Sequence, residues 1–235
     1  MLSFANALFG LVVLKESLPP ERRRKFELWR ANPLGAIKSL RRFPGLTGLM
    51  CVLILAQLAH DSLPSTWSYY TLVKFHWGPA DVGWSLVAIG VLTTISFAVL
   101  PRLLVPRIGE KNTALLGFIC GVASYAGYAL AATPLVFYAW MIPFTIGGAA
   151  GPALNAILSR DVPGDEQGEL QGAVASITSL TSVGAMLLMP NLFGWFTGPA
   201  APVYFPGAAF LAAAFCELLG LLVFVLAMRR VKPVS

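Results

Sequence analysis

The residues of this 235-residue chain that can do chemistry are few, and they sit inside long apolar runs. Gln57, His60 and Asp61 fall within about one turn of a helix, so their side chains share a face. A carboxyl beside an imidazole can take up and release a proton, and such a group can line an aqueous cavity toward the outer end of a membrane span. The alternative for Asp61 is a place at the outer interface, where it only caps or pairs. Glu217 is flanked by Phe215, Cys216, Leu218 and Leu219. A carboxylate in the middle of such a run must be neutralised in place or paired across helices. Thr93, Thr94 and Ser96 make one small polar stripe, and Ser176, Ser179 and Ser182 another. Both suit substrate contact or helix packing. There is no metal-type spacing of His, Cys and acids, no glycine-rich phosphate loop and no nucleophile constellation, so neither an enzyme nor a bound cofactor or metal is expected. Cys51, Cys120 and Cys216 each lie in an apolar run and read as small membrane-buried residues.

The elements that hold these residues follow from composition. The chain is 57% hydrophobic and 12% charged, against about 25% charged in soluble domains. Runs of about 20 apolar residues are long enough to cross a hydrocarbon core. The fold class expected is therefore an all-α membrane protein, with five full transmembrane helices plus a partial one. The partial one is 1–14, too short to span and read as the end of an earlier helix. Residues 15–43 form a basic loop, in which Asn32-Pro33 starts a short amphipathic helix carrying Leu34, Ile37 and Leu40. The bundle occupies 44–230. Its spans are 45–63 with an extension toward 70, 82–104 interrupted late by Pro101, 113–132, 135–158, and a last one in two parts, 172–196 and 205–228. Residues 231–235 are a tail. With alternating spans, sixteen of the 17 Lys and Arg fall on one side and only Lys74 on the other. The positive-inside rule makes that side cytoplasmic. The net charge of +6 is thus spent on membrane orientation, and no nucleic-acid partner is implied.

Two stretches suggest movement. Pro143, Gly147, Gly148, Gly151 and Pro152 crowd one span. Proline removes a helical donor and glycine costs about 1 kcal/mol against alanine. They describe a bending gate helix, or else tight packing around a static kink. The charged island 151–172 follows. Asp165 and Glu166 stand where a helix N-terminus favours anions. Gly168 and Gly172 would let the entering helix pack closely on a neighbour. Arg160 is expected to pair with an acid of this loop or with Glu110, forming a cytoplasmic latch with Arg107, Glu110, Arg160 and Glu166.

Several motifs converge on one family. Glu16–Arg24 (ESLPPERRR) with Asn32-Pro33-Leu34, Gln57 with Trp67, and Phe75-His76-Trp77 resemble the central loop and seventh helix of the tetracycline-efflux (TCR/Tet) branch of the major facilitator superfamily. Arg107-Ile108-Gly109-Glu110 with Leu115-Leu116-Gly117-Phe118 is similar to its helix 8–9 connection. Pro152-Ala153-Leu154, Leu158-Ser159-Arg160, Gln167–Gly172 (QGELQG) and Leu180-Thr181-Ser182 continue the match. The resemblance implies a C-terminal half: the end of helix 6, the central loop, and helices 7–12 as two inverted three-helix repeats. It implies proton-coupled efflux of a small amphipathic drug or metabolite, driven by the proton gradient. The partners implied are the lipid bilayer, a small-molecule substrate and an N-terminal six-helix half, in a bacterial inner (plasma) membrane. The alternative is a truncated, non-transporting membrane fragment with a structural or dimerisation role. Thr93 and Gly121 stand where the tetracycline exporters carry His and Asp, which argues against tetracycline itself.

Overall fold

The structure is a computed structural model that describes residues 9, 46–160, 162–164 and 166–230. The expected helix end at 1–14 (apart from Phe9), the basic loop with its amphipathic helix at 15–43, and the tail at 231–235 lie outside the described residues.

Among the described residues eight helices follow one another: α1 Leu46–Phe75, α2 Pro79–Ala98, α3 Leu100–Leu130, α4 Pro134–Ala139, α5 Met141–Gly147, α6 Ala150–Arg160, α7 Gln167–Thr197 and α8 Ala208–Arg230. The three short ones, α4 to α6, make a single span, Pro134–Arg160, so among the described residues six helices are long and apolar enough to cross a membrane. This corrects the expected count of five full spans plus a partial one. The two parts of the last expected span are separate crossings of 31 and 23 residues, joined by the glycine- and proline-rich connection 198–207. Each has more than the roughly 20 residues that one crossing takes.

Local chemistry explains most boundaries. Helix α1 runs through Pro64 to Phe75, five residues past the expected extension toward 70. The hydroxyls of Ser62 and Ser65 donate to the carbonyls of Ala59 (2.7 Å) and Asp61 (2.6 Å), which keeps polar groups bonded around the proline. Helix α2 starts with Pro79 in its first turn while Asp81 accepts from the Gly78 amide at 3.0 Å. Pro101 does not break a helix interior. The break comes at Val99, and Pro101 occupies the first turn of α3, where a missing donor costs nothing. Within α3 the chain reverses at Gly109, whose φ of 80° and ψ of 163° suit only glycine. Thr133 accepts from the Val136 amide at 3.4 Å to start the broken span.

Packing pairs the helices in two equivalent groups, joined by the contact of α3 with α8. Helix α1 packs on α8 and α7, and the broken span packs on α3 and α2. Exchanging the first three spans for the last three maps one set of contacts onto the other. The partners in each exchange are three crossings apart and so run in opposite directions, as inverted repeats require. Two apolar clusters fill the bundle. One joins Leu46, Leu49, Phe118, Leu158, Leu170 and Phe224 at the end where the charge rule places the cytoplasm. The other is aromatic and surrounds Phe137 with Trp67, Tyr70 and Tyr128, on which Phe210 packs in turn, at the opposite end. There Trp67 Nε1 donates to Ser85 Oγ at 2.9 Å, and the Tyr70 hydroxyl donates to the Tyr128 carbonyl at 2.6 Å. These bonds pin α1 to α2 and to α3.

Gly168 and Gly172 do not pack as expected. A Cβ at either would meet nothing within 4 Å, because the buried side of this helix turn is carried by Leu170, Ala173 and Val174. Gly207 is the opposite case, since a Cβ there would lie 2.2 Å from the Ala129 carbonyl oxygen. Gly207→Ala is expected to lower the thermal midpoint of the detergent-solubilised protein clearly, because backbone stands on both sides of the clash. Gly172→Ala should leave the midpoint unchanged or raise it, by the ~1 kcal/mol that alanine gains over glycine in a helix. A fall at Gly172 would restore a packing role for that face.

Candidate functional site

A cavity of ≈ 490 Å³ lies inside the bundle, bounded by α1, α2, α3, the broken span, α7 and α8. Its size is typical of small-molecule sites. Its polar lining comes from Gln57 and His60 of α1, Thr93 and Ser96 of α2, Asn155 of α6, Thr178 of α7 and Glu217 of α8. The aromatic wall is Phe97, Phe118, Tyr125 and Phe144. The lining grades from exposed His60 to Glu217, which is only 7% exposed.

The cavity exists because helices cross at backbone distance. A Cβ on Gly117 would stand 2.8 Å from the Ala150 amide nitrogen and 2.9 Å from the Gly147 carbonyl oxygen. One on Gly147 would stand 3.2 Å from the Gly121 nitrogen. Gly117 and Gly121 are four apart on one face of α3, the small-xxx-small spacing that lets membrane helices touch. The other side of Gly121 is occupied by Glu217, whose Oε1 lies 2.7 Å from where a Cβ would be.

The broken span carries a second device. The Ala149 amide bonds to the Ile146 carbonyl at 3.2 Å, a turn tighter than the α-helix. That frees the Thr145 carbonyl, which accepts instead from Ser96 Oγ of α2 at 2.6 Å. Ser96 reaches it only because residue 148 is glycine: a Cβ there would fall 2.0 Å from the hydroxyl. Pro143 lies half-buried in α5 just before this break, and Gly151 and Pro152 line the cavity just after it. Both the break and the cavity wall are thus built from the residues that made this span unusual in the sequence.

The two acids within the spans are placed differently. Asp61 is buried, and Gln57 Nε2 lies 3.0 Å from each of its oxygens. The same amide reaches Ser182 Oγ of α7 at 3.2 Å, tying α1 to α7. His60 Nδ1 stands 3.7 Å from Asp61 Oδ1, with half of the imidazole exposed. Asp61 does not line the cavity; its neighbours Gln57 and His60 do. Glu217, by contrast, makes no hydrogen bond or ion pair among the described residues. Ser176 and Ser179 lie outside the cavity, and the Ser176 hydroxyl donates to the Gly172 carbonyl of its own helix at 2.7 Å. The face of α7 that turns inward is 174, 178 and 182, at helical spacing of four.

A profile of the Major Facilitator Superfamily matches residues 1–186. This chain belongs to the major facilitator superfamily. It is 31% identical over 193 residues to the tetracycline resistance protein, class C, of Escherichia coli, covering 82% of this chain and 48% of that protein. The class D protein of Salmonella ordonez matches at the same identity and coverage. The hippocampus abundant transcript 1 protein of Mus musculus is 26% identical over 200 residues, covering 83% of this chain and 40% of that one. The chain spans about half the length of the curated relatives it matches. With six helices able to span, it is a multi-pass integral membrane protein, in keeping with an inner-membrane location.

On the cytoplasmic side of this superfamily fold, Arg160 Nη1 lies 3.9 Å from Glu110 Oε2, joining the end of the broken span to the start of the helix after the Gly109 reversal. Arg160 is 73% exposed, so the pair is worth only ~0.2–1 kcal/mol. A latch of that strength can open readily. Arg107 is exposed, and Glu166 sits half-buried immediately before α7. Gln167 Nε2 adds a firmer tie, donating to the carbonyls of Ser159 (2.7 Å) and Val162 (2.8 Å). Sequence reasoning missed Gly117 and Gly121 as a crossing point, although their spacing was visible. It also missed Asn155, Thr178 and Tyr125 as lining, because nothing local distinguishes an inward from an outward face in a uniformly apolar helix.

Two substitutions test the Ser96 device. Ser96→Ala leaves the Thr145 carbonyl unsatisfied, for which a loss of ~1–3 kcal/mol is expected. Gly148→Ala should destabilise strongly by driving a methyl into the hydroxyl. In the Ser96→Ala background the nearest obstacle recedes to the residue 96 Cβ at 3.1 Å. Gly148→Ala should therefore cost less there than in the parent protein, a coupling readable in a double-mutant cycle of thermal midpoints. Strict additivity would reject the arrangement.

Proposed function

We propose that this chain forms the C-terminal half of a proton-coupled exporter of a small amphipathic molecule, working with an N-terminal six-helix half. The observation that carries this reading is the cavity itself. It is of ligand size, lies at the crossing of a broken helix, and combines an aromatic wall with Gln57, His60, Thr93 and Glu217. Interrupted helices at the interface of inverted repeats are where transporters bind and move. The relatives named for tetracycline resistance support export as the direction. Thr93 and Gly121, which differ from the tetracycline exporters at the positions named above, support a different amphiphile as cargo.

A partner half has a surface to meet. Helices α2 and α7 are the least buried spans, with 11% and 28% of their apolar windows inside the bundle. They occupy equivalent places in the two repeats. Each carries the same exposed stripe at helical spacing: Trp84, Val87 and Val91 on α2, and Leu180, Val183 and Leu187 on α7. Matching stripes on equivalent helices suit a second, pseudo-symmetric half.

The proton role is assigned to the cluster of His60 and Asp61, with Gln57 holding the carboxylate. The test is to co-express the chain with the N-terminal half of a tetracycline resistance protein and measure drug-dependent proton movement in everted vesicles. Asp61→Asn and His60→Ala are each expected to reduce coupled transport at least about tenfold, the range seen when a positioned proton-transfer group is lost. Full efflux in both variants would remove these residues from the mechanism.

A further inference from the structure

We propose that Glu217, seated on Gly121, is the cation-binding group of the cavity, and that the cavity takes an organic monocation with an aromatic or aliphatic body. This deepens the transport reading by naming a class of cargo, and it rests on that reading only in taking the cavity as the place where cargo sits.

Four observations lead there. Glu217 is more than nine-tenths buried, lines the cavity, and has no hydrogen-bond or ion-pair partner among the described residues. No Lys or Arg lines the cavity, so an anionic ligand would find only the half-exposed imidazole of His60. The amide donors of Gln57 are engaged with Asp61 and Ser182, and the Ser96 hydroxyl with Thr145, so these two donors are not open to a ligand. Phe97, Phe118, Tyr125 and Phe144 line the same cavity as the acid. A cation gains from both: charge compensation by a carboxylate away from water, and attraction to aromatic faces.

Gly121 decides where the carboxylate points. The nearest neighbours of a Cβ at 121 are Glu217 Oε1 at 2.7 Å and its Cδ and Cγ at 3.2 Å. The obstacle is the far end of a flexible side chain, so alanine at 121 would push the carboxylate aside while leaving the helix crossing in place. Glycine at 121 thus positions the charge, and Glu217 supplies it.

The experiment measures equilibrium binding of tetraphenylphosphonium, and of neutral triphenylphosphine oxide as control, to the purified 235-residue chain in nanodiscs. The parent protein should bind the cation saturably and at least about tenfold tighter than the oxide, on the scale of a desolvated cation–aromatic contact plus an ion pair. Glu217→Gln should bring the cation down to the affinity of the oxide and leave the oxide unchanged. Gly121→Ala should weaken the cation severalfold while helicity and thermal midpoint stay near the parent values. Equal affinity for the two probes, no saturable cation binding, or an undiminished cation affinity in Glu217→Gln overturns the proposal. If Glu217→Gln does not fold, Gly121→Ala decides alone, and an unchanged cation affinity there overturns it. Binding needs no transport partner, so failure of the co-expressed halves to transport would leave this result standing.

Discussion

The bundle depends on one constraint: α3 and the broken span meet backbone to backbone. Gly117 lies against Ala150 and Gly147, and Gly147 against Gly121. In a membrane no hydrophobic force drives helices together, because lipid is as apolar as leucine. Close approach of small residues supplies dispersion contact instead. The broken span also needs its freed carbonyl satisfied, since an unpaired polar group in hydrocarbon is expensive. Ser96 meets that need through the gap left by Gly148. The crossing and the break are therefore two halves of one solution, and the cavity is the space that results.

That geometry sorts the acids. Asp61 sits where its own helix offers an amide four residues away and α7 offers a hydroxyl beyond it. It also holds the Gln57 amide that reaches Ser182, the bond that ties α1 to α7. Glu217 sits where α3 has been stripped of a side chain to make room. A membrane-buried carboxylate with donors is already compensated; one without them is neutralised by a proton or by a cation beside it. The same bundle thus holds an anchored acid behind the cavity lining and an acid without donors in it.

The outer surface follows the inverted repeat. The aromatic cluster around Phe137 ties α1, α3, the broken span and α8 at one end, while the weak Arg160–Glu110 pair and the Gln167 bonds close the other. The exposed stripes on α2 and α7 leave the two peripheral spans free to engage a second half or lipid.

What the sequence determined by itself was everything that depends on composition along one helix. Apolar length identified spans, basic residues oriented them, and glycine and proline marked the span that breaks, because lipid imposes these rules locally and without reference to neighbours. It placed Arg160 within reach of Glu110 because both flank cytoplasmic helix ends. It named five full spans where six cross, although the charge count already needed 172–196 and 205–228 to cross separately, and it gave Gly168 and Gly172 neighbours they lack. The misplaced glycines share a cause with the omissions of Gly121, Tyr125, Thr178 and Asn155. In a helix that is apolar all round, periodicity does not tell which face meets lipid and which meets protein. Only the tertiary structure decided that. It set Glu217 over Gly121, ninety-six residues away in the chain, and so turned a costly buried acid into the floor of a cavity.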